Sequence, residues 1–312
     1  MSHTLSYRPH LPLERVMLLD GPQGGPLCVL TAGVHGNEPG GVAALRRVLA
    51  RLDRSRLQGR VALLVGNMAG LARDVRFVND DLNRLWRPAD VELARRGDTR
   101  GSSERREQAQ LLPILEHELE QAREATLLDL HSTSGVGPPF TVVAGPHSST
   151  QFAHALKAPL LTGLEGLISG TLIEWFGARG QRAVVLEGGQ NQAPSTIDHH
   201  EAAAWIALLD TGCVPVDAAP DRSELEARIV QGAQGLPATV EVAYCHHLQP
   251  DEDFEMLPGF RNFDPVSEGQ LLARSGPKLA REVRAPWTGT LLMPRYQGQG
   301  LDGFFLGRAV GA

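Results

Sequence analysis

The sequence predicts an α/β fold: a largely parallel or mixed sheet flanked by helices, followed by a small β-rich region. Three observations carry that reading. An apolar run at Pro26–Ala32 is followed by a glycine-rich loop, a helical run at Val42–Leu52 and a second apolar run at Val61–Gly66. This is a β-loop-α-β succession. Further short apolar runs at Thr126–His131, Phe140–Ala144 and Arg182–Glu187 read as buried strands. Beyond about residue 212 the texture changes to short strand-like runs separated by Gly/Pro turns.

Each element has a local reason. Arg15–Asp20 is apolar enough for a strand, and Gly21-Pro-Gln-Gly-Gly25 reads as the turn of a hairpin joining it to Pro26–Ala32. Pro39 and its flanking glycines mark a loop-to-helix junction before Val42. Residues 88–103 are polar and read as irregular. A helix is expected from Glu104, with Glu104 and Glu107 in an acid-rich first turn, Leu111, Leu115 and Leu119 on one face, and a kink at Pro113. Asp198 followed by Glu201 resembles a capping box opening a helix that carries Trp205, Leu208 and Leu209. His199 and His200 then fall in a first turn and are expected to be solvated, as is His154. Pro215–Ser223 reads as a linker. Strands are expected at Thr239–Tyr244, Gln270–Ala273, Glu282–Ala285, Thr288–Met293 and Gly303–Gly307. The resulting division is a larger α/β domain over 1–222 and a small β-rich domain over 223–312, in keeping with roughly 150 residues per domain for a chain of 312.

Composition narrows the function. The formal charge is 30 − 36 = −6, which argues against a nucleic-acid binder. Hydrophobic residues make up 42 % of the chain, so a sizeable core is expected and global disorder is excluded. No apolar run approaches the ~18 residues of a membrane span. The N-terminal stretch from Met1 to Pro9 shows no apolar secretory segment. The three cysteines, Cys28, Cys213 and Cys245, are odd in number and far apart, which suits a reducing cytoplasm.

Four segments carry candidate chemistry. His35-x-x-Glu38 lies just past a strand, where an imidazole and a carboxylate can turn toward one metal ion; alone, the motif is no more than a polar loop. Asp129-Leu-His131 closes another buried strand. Two histidines and a carboxylate leave a coordination position open for water, the catalytic pattern for zinc. Asp129 shares a strand face with His131 and is either its orienting partner or plainly structural. Glu187, in Val184-Val-Leu-Glu-Gly-Gly189, is a carboxylate at an apolar strand end; it is either a general base or a group that reaches solvent. Arg76-Phe-Val-Asn-Asp-Asp-Leu-Asn-Arg84 offers planar donors for carboxylates and an oxyanion, or else a solvated charged loop.

Other patterns fail on context. Gly298-x-Gly300-x-x-Gly303 fits a dinucleotide motif but is followed by no helix, and no phosphate-binding P-loop or serine nucleophile elbow is present. In Cys245-His246-His247 neighbouring side chains on a strand point to opposite faces, which opposes a single metal site.

In the order HGNEPGG, RFVNDDLNR, DLHSTSG and VLEGG, the four segments resemble the succinylglutamate desuccinylase/aspartoacylase family, a branch of the zinc carboxypeptidase-like fold. The resemblance runs from about Leu30 to Gly189 and continues more weakly through Gly259–Val266 and Ala285–Pro294. It implies one Zn²⁺ per chain, with His35, Glu38 and His131 as ligands. Glu187 matches the catalytic glutamate, and Arg76 the arginine that polarises the scissile carbonyl. Asn83 and Arg84 match the pair that holds a substrate carboxylate. The family's arginine for an acidic side chain falls in the stretch of Arg179 and Arg182, and either residue fits. A tyrosine from the C-terminal region has Tyr296 as its candidate. The implied activity is zinc-dependent hydrolysis of the amide bond of a small anionic N-acyl amino acid, with no nucleic-acid or membrane partner and homo-oligomerisation left open. The alternatives are a zinc carboxypeptidase acting on small peptides and a non-catalytic metal- or ligand-binding protein.

Overall fold

The computed structural model describes residues 15–21, 25–143 and 150–311. Its strands are β1 (Val16–Leu19), β2 (Leu27–Ala32), β3 (Arg60–Val65), β4 (Ala125–Thr133), β5 (Phe140–Val142), β6 (Leu160–Thr162) and β7 (Arg182–Gln190), then β8 (Thr239–His247), β9 (Phe254–Met256), β10 (Pro265–Val266), β11 (Leu271–Ser275), β12 (Arg281–Arg284), β13 (Gly289–Leu292) and β14 (Asp302–Ala309). The helices are α1 (Gly40–Arg51), α2 (Met68–Arg73), α3 (Pro88–Arg95), α4 (Ser103–Glu120), α5 (Thr150–Ala155), α6 (Leu172–Gly177), α7 (Pro194–Asp210) and α8 (Arg222–Ala233).

Strands β2, β3, β4 and β7 are parallel and form the heart of a mixed sheet in the order β1-β3-β2-β4-β7-β5-β6-β8-β14-β13-β10. They are apolar on both faces because helices cover both. Alternation along β2 shows the division: Cys28, Leu30 and Ala32 pack with α1, α7 and α8, whereas Leu27 and Val29 pack with α3, α4 and α6. A separate small sheet, β12-β11-β9, encloses its own core with Phe304 and Leu306 of β14, while Phe305 between them faces the main core. No helix among the described residues is long and apolar enough to cross a membrane.

Several expectations are corrected here. The hairpin between the first two strands does not form. β2 is buried at every residue with both edges taken by parallel partners, so β1 pairs antiparallel with β3 instead. Residues 22–24 of that turn, the N-terminal stretch over 1–9 and Ala144 lie outside the described residues. The stretch 88–103 contains helix α3, started by Pro88 and Asp90 and anchored by Val91 and Ala94, too short a pattern to be read from spacing. Helix α4 is capped by Ser102 and runs on through Pro113. Helix α7 begins at Pro194, so Asp198 and Glu201 lie inside it and pair with Arg47 and Arg51 of α1 rather than capping. The expected linker leads directly into α8, capped by Asp221. The main sheet is continuous from β6 to β8 and β14 across position 222/223.

Candidate active site

Parallel strands deliver their last side chains to one edge of the sheet, and the site lies on that edge. Just past β2 the chain curls so that His35 and Glu38 face one point. Gly36 permits this: a Cβ there would lie 2.0 Å from the Gly70 carbonyl carbon. Its N–H donates to the Arg76 carbonyl at 3.0 Å, which ties the two loops together. β4 supplies His131, and β7 sets Glu187 in direct register beside it.

His35 Nδ1 lies 2.8 Å from Glu38 Oε1, and His131 Nδ1 lies 3.1 Å from Glu38 Oε2 and 3.2 Å from His35 Nδ1. The donor atoms of all three buried residues fall within 4.8 Å of one another. Two imidazole nitrogens and a carboxylate aimed at one point form the donor set of a divalent metal site. Their orientation is fixed from behind. Asp129 Oδ2 accepts from His131 Nε2 at 2.9 Å, which turns Nδ1 inward, and Thr31 donates to the other Asp129 oxygen. Asp81 Oδ1 accepts from His35 Nε2 at 3.2 Å, and its Oδ2 holds Arg76 through Nη2 at 3.1 Å.

The electrostatics follow from this packing. Burial alone would raise the Glu38 carboxyl, but His35 and His131 outweigh it and hold it well below the usual range. Burial likewise opposes charge on His131, yet Asp129 and Glu38 push its imidazole well above the ordinary value. Glu187 differs. Burial, first of all, pushes its carboxyl up to about 7, against the histidine and Arg76 charges, and its Oε2 has no hydrogen-bond partner. A carboxyl that titrates near neutrality and is unengaged is suited to taking and returning a proton.

The loop from Arg76 to Arg84 is held by Glu104, which lies in the first turn of α4 as expected and is a fully buried acceptor. It takes the N–H groups of Val78, Asn79 and Asp80 at 2.7, 2.9 and 3.1 Å, with Asn67 Nδ2 at 3.0 Å. Asn83 Oδ1 accepts from the Leu172 N–H at 2.9 Å. Arg84 Nη2 pairs with Asp302 Oδ2 of β14 at 2.7 Å. Of these groups, Asn79, Asp80, Asn83, Arg84 and Asp302 line a cavity of about 610 Å³ that also holds the His35–Glu38–His131 cluster and Glu187.

Arg179 and Arg182 are not brought to that cavity. Arg179 stacks on Trp175 with its carbon 3.7 Å from the ring and bonds the Trp175 carbonyl. Arg182 begins β7, at the far end from Glu187, and faces Asp210. Tyr296 is also elsewhere: its hydroxyl donates to the Leu257 carbonyl and accepts from the Phe260 N–H. The C-terminal segment meets the site through glutamines instead. Gln297 Oε1 accepts from Asn37 at 2.7 Å, and Gln299 Nε2 donates to the Phe77 carbonyl at 2.9 Å.

His200 was expected in solvent and is buried, its Nε2–H donating to the His131 carbonyl at 2.7 Å. Burial lowers its pKa to about 4, so it stays neutral. It packs against Gly188, where any side chain would meet its ring. On β8 the alternation holds: His246 stacks with Phe254 and Phe304, while Cys245 and His247 share a face with Asp302. That second cluster is poor in free donors, since Asp302 is engaged by Arg84 and burial raises the Cys245 thiol strongly.

Comparison with known proteins agrees with this geometry. The family model described as succinylglutamate desuccinylase/aspartoacylase catalytic domain matches residues 24–167. A succinylglutamate desuccinylase of Burkholderia pseudomallei is 28 % identical over 281 residues, covering 85 % of this chain and 74 % of that protein. One from Pseudomonas paraeruginosa is 40 % identical over 60 residues, or 19 % of this chain and 18 % of that protein. Among solved structures, the product-bound ectoine utilization protein EutE (DoeB) from Ruegeria pomeroyi superposes with a TM-score of 0.66 at 18 % identity, covering 94 % of this chain and 87 % of that one. A succinylglutamate desuccinylase/aspartoacylase from Rhodobacter sphaeroides superposes with a TM-score of 0.66 at 19 % identity, covering 94 % and 87 %. Residues 24–167 thus match the catalytic-domain model of the succinylglutamate desuccinylase/aspartoacylase family, and most of the chain is similar to succinylglutamate desuccinylases.

Proposed function

We propose that the chain hydrolyses the amide bond of a small anionic N-acyl amino acid, using one Zn²⁺ held by His35, Glu38 and His131. The observation that carries this reading is the convergence of those three donor sets beside the unengaged carboxyl of Glu187. The donor chemistry fits zinc, which favours two histidines and one carboxylate at catalytic sites. Bound there, zinc supplies Lewis acidity, polarising a carbonyl and lowering the pKa of water toward ~7.

The chain's own residues do the rest. Glu187 removes a proton from the attacking water and returns it to the leaving amine. Arg76, aimed by Asp81 and Glu38, donates to the oxygen on which charge develops. Asn83 and Arg84 hold the substrate carboxylate, Arg84 with two parallel donors as its planar group allows. We keep residues 1–222 as the catalytic unit and 223–312 as a β-rich unit that helps enclose the cavity, since Arg295, Asp302 and Phe305 line it. The three unpaired, buried cysteines support a reducing, cytoplasmic setting.

The test is a panel of N-acyl amino acids and dipeptides incubated with purified, zinc-loaded protein, scored by released amine, with metal content measured in parallel. Release from the acyl amino acids with about one zinc per chain is the expected result. Preferential cleavage of dipeptides would make the chain a peptidase, and zinc binding without any release would make it a binding protein.

A further inference from the structure

We infer that the amino-acid part of the substrate carries an apolar side chain rather than an acidic one; this rests on the deacylase reading and sharpens it. The cavity has two unlike halves. Beyond the metal-ligand cluster its wall is built from Val142, Leu164, Leu167, Ile168, Ile173 and Val185. Four of the six are almost fully buried core side chains, and none presents a polar side-chain atom.

That wall adjoins the proposed carboxylate grip. The Leu172 N–H bonds Asn83 Oδ1, and the Trp86 N–H bonds the Gly170 carbonyl at 3.0 Å. Gly170 lies so close to the Arg84 carbonyl that a Cβ would stand 2.5 Å from it. Thr171 caps α6 and fixes Ile173 in its first turn. An amino acid whose carboxylate rests on Asn83 and Arg84 therefore directs its side chain against the 164–173 segment.

Among the described residues that line the cavity, the arginines are Arg76, Arg84, Arg87 and Arg295, and none of them belongs to the apolar wall. Arg179 and Arg182 lie outside the cavity. Arg76 is held by Asp81 and Glu38, and Arg84 by Asp302. Arg87 is exposed where it lines the cavity, and its guanidinium is spent on Ser169 and the Arg84 carbonyl. Arg295 is in the C-terminal segment near Arg76, bonded to the Gly298 and Gln299 carbonyls. A carboxylate pressed onto the apolar wall would lose its hydration without a partner.

The experiment compares N-acetyl-L-leucine and N-acetyl-L-phenylalanine with N-acetyl-L-aspartate and N-acetyl-L-glutamate. Two quantities are read: kcat/KM on zinc-loaded protein, and calorimetric binding to Glu187→Gln, which needs no turnover. The apolar pair should exceed the acidic pair by about 100-fold or more, within the range that apolar pockets achieve. Leu167→Arg should shift the ratio toward the acidic pair by about 10-fold or more. Selective binding of the apolar pair without turnover leaves this inference standing and removes the deacylase reading. Acidic compounds that are hydrolysed or bound as well as the apolar pair, or an absence of discrimination including no binding at all, overturn it. Should Leu167→Arg fail to fold, the unmodified chain and Glu187→Gln decide the matter.

Discussion

The two halves of the cavity are built in opposite ways. Around His35, Glu38 and His131 the side chains are held from behind: Asp129 behind His131, Asp81 behind both His35 and Arg76, His200 beneath the His131 backbone. The wall from Leu164 to Ile173 turns apolar side chains to the cavity, while its hydrogen bonds, such as Asn83 with the Leu172 N–H and Gly170 with the Trp86 N–H, fix its backbone. Networks of buried hydrogen bonds tolerate little change, because losing one member strands the others. Apolar walls accept volume-conserving exchange at small cost. The contrast sets the proposed chemistry at strand ends against a proposed substrate wall built from β5, β7, α6 and the loop between β6 and α6.

The largest expected effect breaks the chemical half alone. Glu187→Gln keeps the shape but cannot accept a proton, so kcat should fall at least ~10²-fold while bound zinc is unchanged. Rapid-quench or steady-state assays beside metal analysis check this, and near-normal kcat would move the base elsewhere. Next, Asp129→Asn should weaken zinc binding by about 10- to 100-fold, the usual cost of removing a ligand's orienting partner. A chelator competition titration measures it; unchanged affinity would make Asp129 merely structural.

Glu104→Gln tests how far the network extends. It withdraws a charged acceptor from three part-buried N–H groups and should cost about 1–3 kcal/mol of stability. Denaturant melts give that number, and kcat should fall with KM little altered if Arg76 loses its aim. On the opposite wall, Ile173→Val should cost no more than about 0.5–1.5 kcal/mol and leave kcat on a small substrate near its starting value. A large kcat loss there would erase the distinction between the halves.

The smallest effect is a pH dependence. The Glu187 carboxyl is raised to about 7 and the His131 imidazole is raised well above its ordinary value. Both shifts favour bound protons in the folded state. Metal-free protein should therefore lose stability as pH rises from about 4.5 through 7, first through Glu187. Zinc demands a deprotonated His131, so its stabilisation should grow over the same interval. Melting temperatures with and without zinc at pH 5.5 and 8 read both slopes; Glu187→Gln should flatten the first and spare the second.

Much of the polar half was legible in the sequence because its residues end apolar strands. His35, Glu38, His131 and Glu187 each follow a run that could only be a buried strand, and parallel strands bring such ends together. What supports them was not legible. Glu104 acts on residues whose nearness follows from loop folding, and Gln299 reaches Phe77 from the other end of the chain. His200 was misjudged because a false cap at Asp198 placed it in a helix's exposed first turn. Arg179 and Arg182 were misplaced by proximity in sequence. A strand advances about 3.3 Å per residue, so Arg182 sits some ~16 Å from Glu187 along β7. The hairpin failed for a related reason: a turn signal is local, whereas β2 was claimed by two parallel neighbours distant in the chain.

The bonds from Gln297 and Gln299 to Asn37 and Phe77 carry a consequence for how the molecule is made. The residues that gather His35, Glu38, His131 and Glu187 all leave the ribosome well before residues 297 and 299 do. At roughly 5–20 residues per second, the interval between residue 187 and residue 299 spans about 6–22 s. The segment that ties the loops of Asn37 and Phe77 together is thus among the last parts of the chain to be made.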